Sequence, residues 1–158
     1  MQKENNPVTE QDNVTPAECR VLLVEDDEDD RIFGKAQLDA CPQVSEVKCF
    51  GDGDELIRYM NEQGFDDHTV LCMTPTIIIV DLNMPRIDGF KILQRLKSDP
   101  FLKEIPVAVL SGQLNYQTMH RAMELGADAI LRKPLRTDKL TECLKHAWQW
   151  PTRDMWMA

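Results

Sequence analysis

Runs of apolar residues alternate along the chain with stretches of helical periodicity, five times over. The most informative run is Thr76-Ile77-Ile78-Ile79-Val80, which stops abruptly at Asp81. Four consecutive β-branched residues, Ile77 to Val80, without polar alternation predict a strand buried on both faces, as in the middle of a parallel sheet covered by helices. Arg20-Val21-Leu22-Leu23-Val24 predicts an earlier buried strand and Val44 to Phe50 a second. Val107-Ala108-Val109-Leu110 and Ala129-Ile130-Leu131-Arg132 predict the fourth and fifth. Helical spacing follows each: Ile32, Phe33, Ala36 and Leu38; Leu56, Ile57 and Met60; Phe90, Ile92, Leu93 and Leu96; Met119, Ala122, Met123 and Leu125; Leu140, Leu144 and Trp148.

Punctuation agrees with this division. Gly51-Asp52-Gly53 predicts a turn, and Pro85 with Asp88-Gly89 closes the loop after Asp81. Ser98-Asp99-Pro100 ends the third helix, because the residue before proline is pushed out of the helical region. Gly126 is placed to end the fourth helix as a left-handed cap, and Thr137 is a candidate N-cap for the fifth, which runs to Trp150 and is closed by Pro151. Residues 61–75 are polar and long for a connection, either a surface excursion or a partner-specific loop. Five strands alternating with five helices predict a doubly wound α/β domain with right-handed crossovers over 19–150. A polar, flexible tail is expected at 1–18 and a short one at 151–158.

Composition narrows the function. At 158 residues and 42% hydrophobic content one ordinary domain is expected, and the eight residues after Trp150 are too few to form an output domain. A formal net charge of −9 disfavours nucleic acid or an anionic membrane surface as a partner and favours a protein or small ligand. The five cysteines (Cys19, Cys41, Cys49, Cys72, Cys143) are odd in number and lack C-x-x-C spacing, so they read as reduced, mostly packed thiols. No apolar run approaches a membrane helix and no signal peptide is evident, which predicts a cytoplasmic protein.

In such a sheet the residue after each strand arrives at one edge, where ligands bind. That rule collects Glu25 and Asp26, Asp81, Ser111 and Lys133. Taken alone, Asp81 is equally well explained as an anchor for loop backbone; the constellation says more. Clustered carboxylates call for a raised pKa or a bound cation, and an oxygen-only donor set favours Mg²⁺. A hard cation and an ammonium around one aspartate suit phosphoryl transfer, with Asp81 as nucleophile and Ser111 and Lys133 each serving an oxygen. The acids continue through Asp27, Glu28, Asp29 and Asp30; the last two fall near a helix N-terminus, where the backbone dipole favours negative charge.

With Asp-Leu-Asn-Met-Pro…Asp-Gly around Asp81 and Leu-Arg-Lys-Pro-Leu around Lys133, the chain resembles the receiver domain of two-component response regulators from about Cys19 to Trp150. The resemblance implies a flavodoxin-like fold with strand order 2-1-3-4-5. It implies Asp81 as phospho-acceptor, Asp26 as direct Mg²⁺ ligand with Glu25 supporting through water, and a metal contact from the Asn83 backbone carbonyl. It further implies Ser111 as switch hydroxyl, Lys133 as the site lysine and Pro134 as a cis-proline site. Gly112 departs from the usual alanine or small residue, and Ile130 stands where the family carries a switch tyrosine or phenylalanine. Asn83 and Gln113 flank the phosphoryl site and are placed to tune hydrolysis.

The expected function is a receiver without an effector domain. It would take a phosphoryl group from a histidine kinase and switch binding to a protein target, or pass the group to a histidine phosphotransfer protein. It would catalyse only its own phosphorylation and dephosphorylation. Competing readings are a binding-only degenerate receiver and an aspartyl-phosphate phosphatase; the latter resembles Asp-x-Asp on a first strand, whereas position 83 is Asn and the nucleophile strand is third. His68, His120 and His146 read as surface residues, Met119 and Met123 as packing or partner surface, and Gly51 and Gly53 as a turn without dinucleotide or P-loop spacing. Trp148 is expected to pack, and Trp156 to make a contact, with a second copy of the chain a candidate partner.

Overall fold

The computed structural model describes residues 18–65, 75–85 and 87–147, with side chains to 144. Expectations for the two tails, His68, Cys72, the His146 side chain, Trp148, Trp150 and Trp156 lie outside the described residues.

Five parallel strands form one sheet: β1 (Cys19–Val24), β2 (Val44–Phe50), β3 (Thr76–Asp81), β4 (Val107–Ser111) and β5 (Ala129–Arg132), in the spatial order β2-β1-β3-β4-β5. The helices are α1 (Glu28–Asp39), α2 (Gly53–Glu62), α3 (Gly89–Ser98), α4 (Tyr116–Glu124) and α5 (Thr137–Ala147), with a 3-10 turn at Leu102–Glu104. This is the flavodoxin-like arrangement expected from the sequence.

Successive strand residues point to opposite faces, and two cores result. Leu22, Val24, Ile78, Val80, Val107 and Val109 meet α2 and α3 through Leu56, Met60, Leu93 and Leu96. Val21, Leu23, Ile77, Ile79, Ala108 and Leu110 meet α1 and α5 through Leu38, Leu140 and Leu144. All six residues of β3 are buried, as an apolar run without alternation requires.

Side-chain caps set where helices begin. Asp27, Asp52, Asp88 and Asn115 accept from the backbone N–H groups of Asp30, Glu55, Phe90 and Thr118 at 2.8–2.9 Å, each satisfying a donor left open in the first turn. Gly126 has φ +95°, the left-handed conformation expected of it. Thr137, by contrast, is the first helical residue of α5, and its hydroxyl donates to Gln37 at 3.0 Å instead of capping.

Three other expectations are corrected. In α1 the apolar residues Ile32 and Phe33 are exposed (62% and 48%), and Ala36 is exposed too. The helix approaches the sheet through Gly34, where a Cβ would stand 3.2 Å from Leu23, and through Leu38. Of the two readings of Met119 and Met123, core packing is the one corrected: α4 buries Ala122 alone and turns both methionines outward, which leaves the partner-surface reading. The polar stretch after α2 opens with a core residue: Phe65 is buried, 6.4 Å from the Tyr59 ring and 5.9 Å from the Arg20 guanidinium. No helix among the described residues is long and apolar enough to cross a membrane.

Candidate functional site

Strand register delivers the site. Val24 pairs with both Phe50 and Val80, Asp81 with Leu110, and Ser111 with Arg132. The ladder continues one residue further, because Glu25 N–H donates to Phe50 C=O at 3.0 Å, Leu82 N–H to Leu110 C=O at 2.8 Å and Lys133 N–H to Ser111 C=O at 2.9 Å. Glu25, Asp81, Ser111 and Lys133 therefore arrive at the carboxyl edge on rigid backbone.

At the centre, the Lys133 ammonium donates to three carboxylates: Asp81 Oδ2 at 2.7 Å, Glu25 Oε2 at 2.9 Å and Asp30 Oδ2 at 2.9 Å. Asp81 and Glu25 are buried, 1% and 2% exposed. Burial by itself would lower the Lys133 pKa, but the bonds to Asp81, Glu25 and Asp30 prevail and hold it above the ordinary lysine value. Burial pushes the Glu25 carboxyl up to about 7; its contact with Asp81 adds to the rise, and Lys133 and the Asp27 N–H oppose it.

Local bonds fix each carboxylate. Asn83 N–H donates to Asp81 Oδ1 at 2.8 Å, which orients the acid at the head of its loop. Glu25 Oε1 accepts from Asp27 N–H at 3.1 Å, and Arg31 donates to the Glu25 carbonyl at 3.0 Å, tying the β1–α1 turn to the helix. The loop after Asp81 passes so close to α3 that a Cβ on Gly89 would overlap the Asp81 carbonyl oxygen and lie 2.9 Å from Leu82 Cα, so glycine is required there.

Ser111 is fully buried at the same edge. Its hydroxyl accepts from the Asn83 side-chain amide and from Gln113 N–H, and donates to the Gln113 carbonyl, all at 3.2 Å. A Cβ on Gly112 would lie 3.6 Å from Asn83 Nδ2, ordinary contact, so an alanine would fit and glycine leaves the site open. Ile130 is half-buried on β5 opposite Val109, against the core that includes Val80. The Lys133–Pro134 peptide is cis, as the resemblance implied. His120 is a surface residue, 3.4 Å from Glu124.

One oxygen each from Glu25, Asp26 and Asp81 lie within 4.8 Å of one another, with Asp26 half-buried. Glu25 and Asp81 are buried, and the Glu25 carboxyl is raised first by that burial and then by its contact with Asp81. An oxygen-only set of this kind fits a hard divalent cation.

Sequence reasoning placed Asp30 at a helix terminus but not in the site. Its contact with Lys133 joins residues 103 apart in sequence, the start of α1 and the end of β5, for which the acidic run carries no local signal. The Asn83 side-chain bond to Ser111 likewise depends on β3 and β4 being neighbours.

Comparison with known proteins agrees with this fold. The sequence matches the family described as the response regulator receiver domain over residues 21–145. A probable chemotaxis protein CheY of Rhizobium etli is 29% identical over 129 residues, covering 80% of this chain and 89% of the relative. The crystal structure of the phosphorylated cyanobacterial phytochrome response regulator RcpA superposes with a TM-score of 0.62 at 30% identity, over 85% of this chain and 94% of that one. The Mn²⁺-bound form of the response regulator Rcp1 superposes with a TM-score of 0.58 at 26% identity, over 83% and 92%. In two further relatives the matched stretch is only 11% and 13% of a longer protein. The chain belongs to the response regulator receiver family.

Proposed function

We propose that the protein accepts a phosphoryl group on Asp81 from the phosphohistidine of a kinase and thereby changes its affinity for a protein partner. The observation that carries the reading is the buried Asp81 carboxylate, oriented by Asn83 N–H and held 2.7 Å from the Lys133 ammonium at the sheet edge.

An Asp81 oxygen forms the new bond to phosphorus while the phosphorus–nitrogen bond of phosphohistidine breaks, and that electron pair returns to the imidazole. Lys133 faces the oxygens on which charge gathers, and Asn83 N–H holds the carboxylate in line, so most of the work is positioning. Asp26, Asp81 and the Asn83 carbonyl would hold Mg²⁺, with Glu25 supporting; when bound, the cation neutralises phosphoryl oxygen charge. The crystallised relative Rcp1 holds Mn²⁺, which supports a divalent ion of this class. Ser111 would release Gln113 or Asn83 to meet a phosphoryl oxygen, and movement of its loop would carry the change outward without an aromatic ring at Ile130.

The protein would turn over no separate substrate and would act in the cytoplasm, with a histidine kinase upstream and a protein target downstream. Transfer onward to a histidine phosphotransfer protein is the reverse of the same chemistry. The test is transfer of labelled phosphate from an autophosphorylated histidine kinase: label should move to the wild type, require a divalent cation and be absent from Asp81→Asn. Label on Asp81→Asn equal to wild type would overturn the reading.

A further inference from the structure

We propose that Asp30 is a positioning residue that competes with the incoming phosphoryl group for Lys133, and so weakens the site's hold on that group; the inference rests on the phospho-acceptor reading of Asp81. A lysine ammonium has three N–H donors, and all three are spent on Asp81, Glu25 and Asp30. Lys133 can meet a phosphoryl oxygen only when one of these partners lets go.

Burial decides which. The Glu25 and Asp81 side chains are 2% and 1% exposed, and a buried carboxylate that loses its cation is left without water to replace it. Asp30 is 56% exposed, so its carboxylate re-enters solvent at little cost. Ion pairs of this exposed kind shift an equilibrium by up to about fivefold. The α1 backbone need not move, since Asp30 N–H stays bonded to the Asp27 cap at 2.9 Å while the side chain swings. A cavity of about 230 Å³ lined by Asp30, Lys133, Phe33, Gly34 and Pro134 gives both groups room for water.

The test is the apparent affinity for beryllofluoride, a tetrahedral mimic of the phosphoryl group that adds to the acceptor carboxylate, titrated with Mg²⁺ present and followed by backbone amide NMR. Asp30→Asn should bind it about two- to fivefold more tightly than wild type, with an unchanged thermal midpoint. Asp30→Glu, whose carboxylate still reaches Lys133, should return to the wild-type value. The advantage of Asp30→Asn should shrink as salt is raised, because the contact it removes is exposed. Equal or weaker binding by Asp30→Asn beside a wild type that binds would overturn the inference and leave the phospho-acceptor reading standing. Tighter binding by both variants would assign the effect to the helix instead of the carboxylate and would also overturn it. If neither wild type nor either variant binds, the reading of Asp81 fails and the inference with it.

Discussion

Lys133 Nζ lies 2.7 Å from Asp81 Oδ2 across 52 residues of sequence, and the pair is the point on which the fold and the chemistry converge. The contact exists because β4 lies between β3 and β5, with Lys133 N–H bonded to the carbonyl of Ser111 on that intervening strand. Replacing Lys133 by Met leaves Asp81 and Glu25 buried without their cation. The expected cost in metal-free protein at pH 8 is about 3 kcal/mol, smaller at pH 5, where the Glu25 carboxyl takes up a proton. Urea unfolding at the two pH values checks this; an equal loss at both would contradict it.

Glu25 gives the fold a pH dependence of definite sign. Its carboxyl is raised from 4.5 to about 7 in the folded protein, so between those values the folded state keeps a proton that the unfolded chain has lost. Its contribution is full below pH 4.5 and is lost as pH rises through 7. In chelator-treated protein, wild type should therefore lose stability relative to Glu25→Gln between pH 5 and 7.5. A difference between the two proteins that stays constant over that range would contradict the assignment.

Glycines 89 and 112 make a paired test of the site's backbone. Alanine at 89 must push against the Asp81 carbonyl and Leu82, and should cost about 3 kcal/mol and lower phosphoryl uptake. Alanine at 112 meets only ordinary contacts and should stay within about 0.5 kcal/mol of wild type. Urea midpoints of the two variants decide the matter, and similar midpoints would contradict the close approach at Gly89.

Much of this was legible in the chain. Every strand but β2 is an apolar run ending at a polar residue, and a parallel sheet sends those ends to one edge, so Glu25, Asp81, Ser111 and Lys133 group from the sequence alone. What was not legible depended on how elements lean on one another. Asp30 meets Lys133 across 103 residues, through a tertiary contact between the start of α1 and the end of β5. Ile32 and Phe33 have helical spacing with Leu38, yet face outward because Gly34 sets the closest approach to Leu23. Phe65 sits in a polar stretch yet joins the core on the α2 face, tilted against the Tyr59 ring with the Arg20 guanidinium over its own.

The thiols carry a further prediction. Burial, with smaller contributions from neighbouring charge, pushes Cys19 up to about 12 and Cys143 up to about 11. At pH 8 the reactive thiolate of Cys143 is then about one part in a thousand, and that of Cys19 about one in ten thousand. Iodoacetamide labelling, followed peptide by peptide, should be slow at both until denaturant is added. Fast labelling of Cys19 in the native protein would contradict its place in the core.

The most direct measurement of the central claim is intact-protein mass after incubation with acetyl phosphate, with and without Mg²⁺, on wild type and Asp81→Asn. The account predicts a Mg²⁺-dependent gain of one phosphoryl group on wild type and none on the variant. An adduct of equal extent on Asp81→Asn, or none on wild type under any condition, would contradict it.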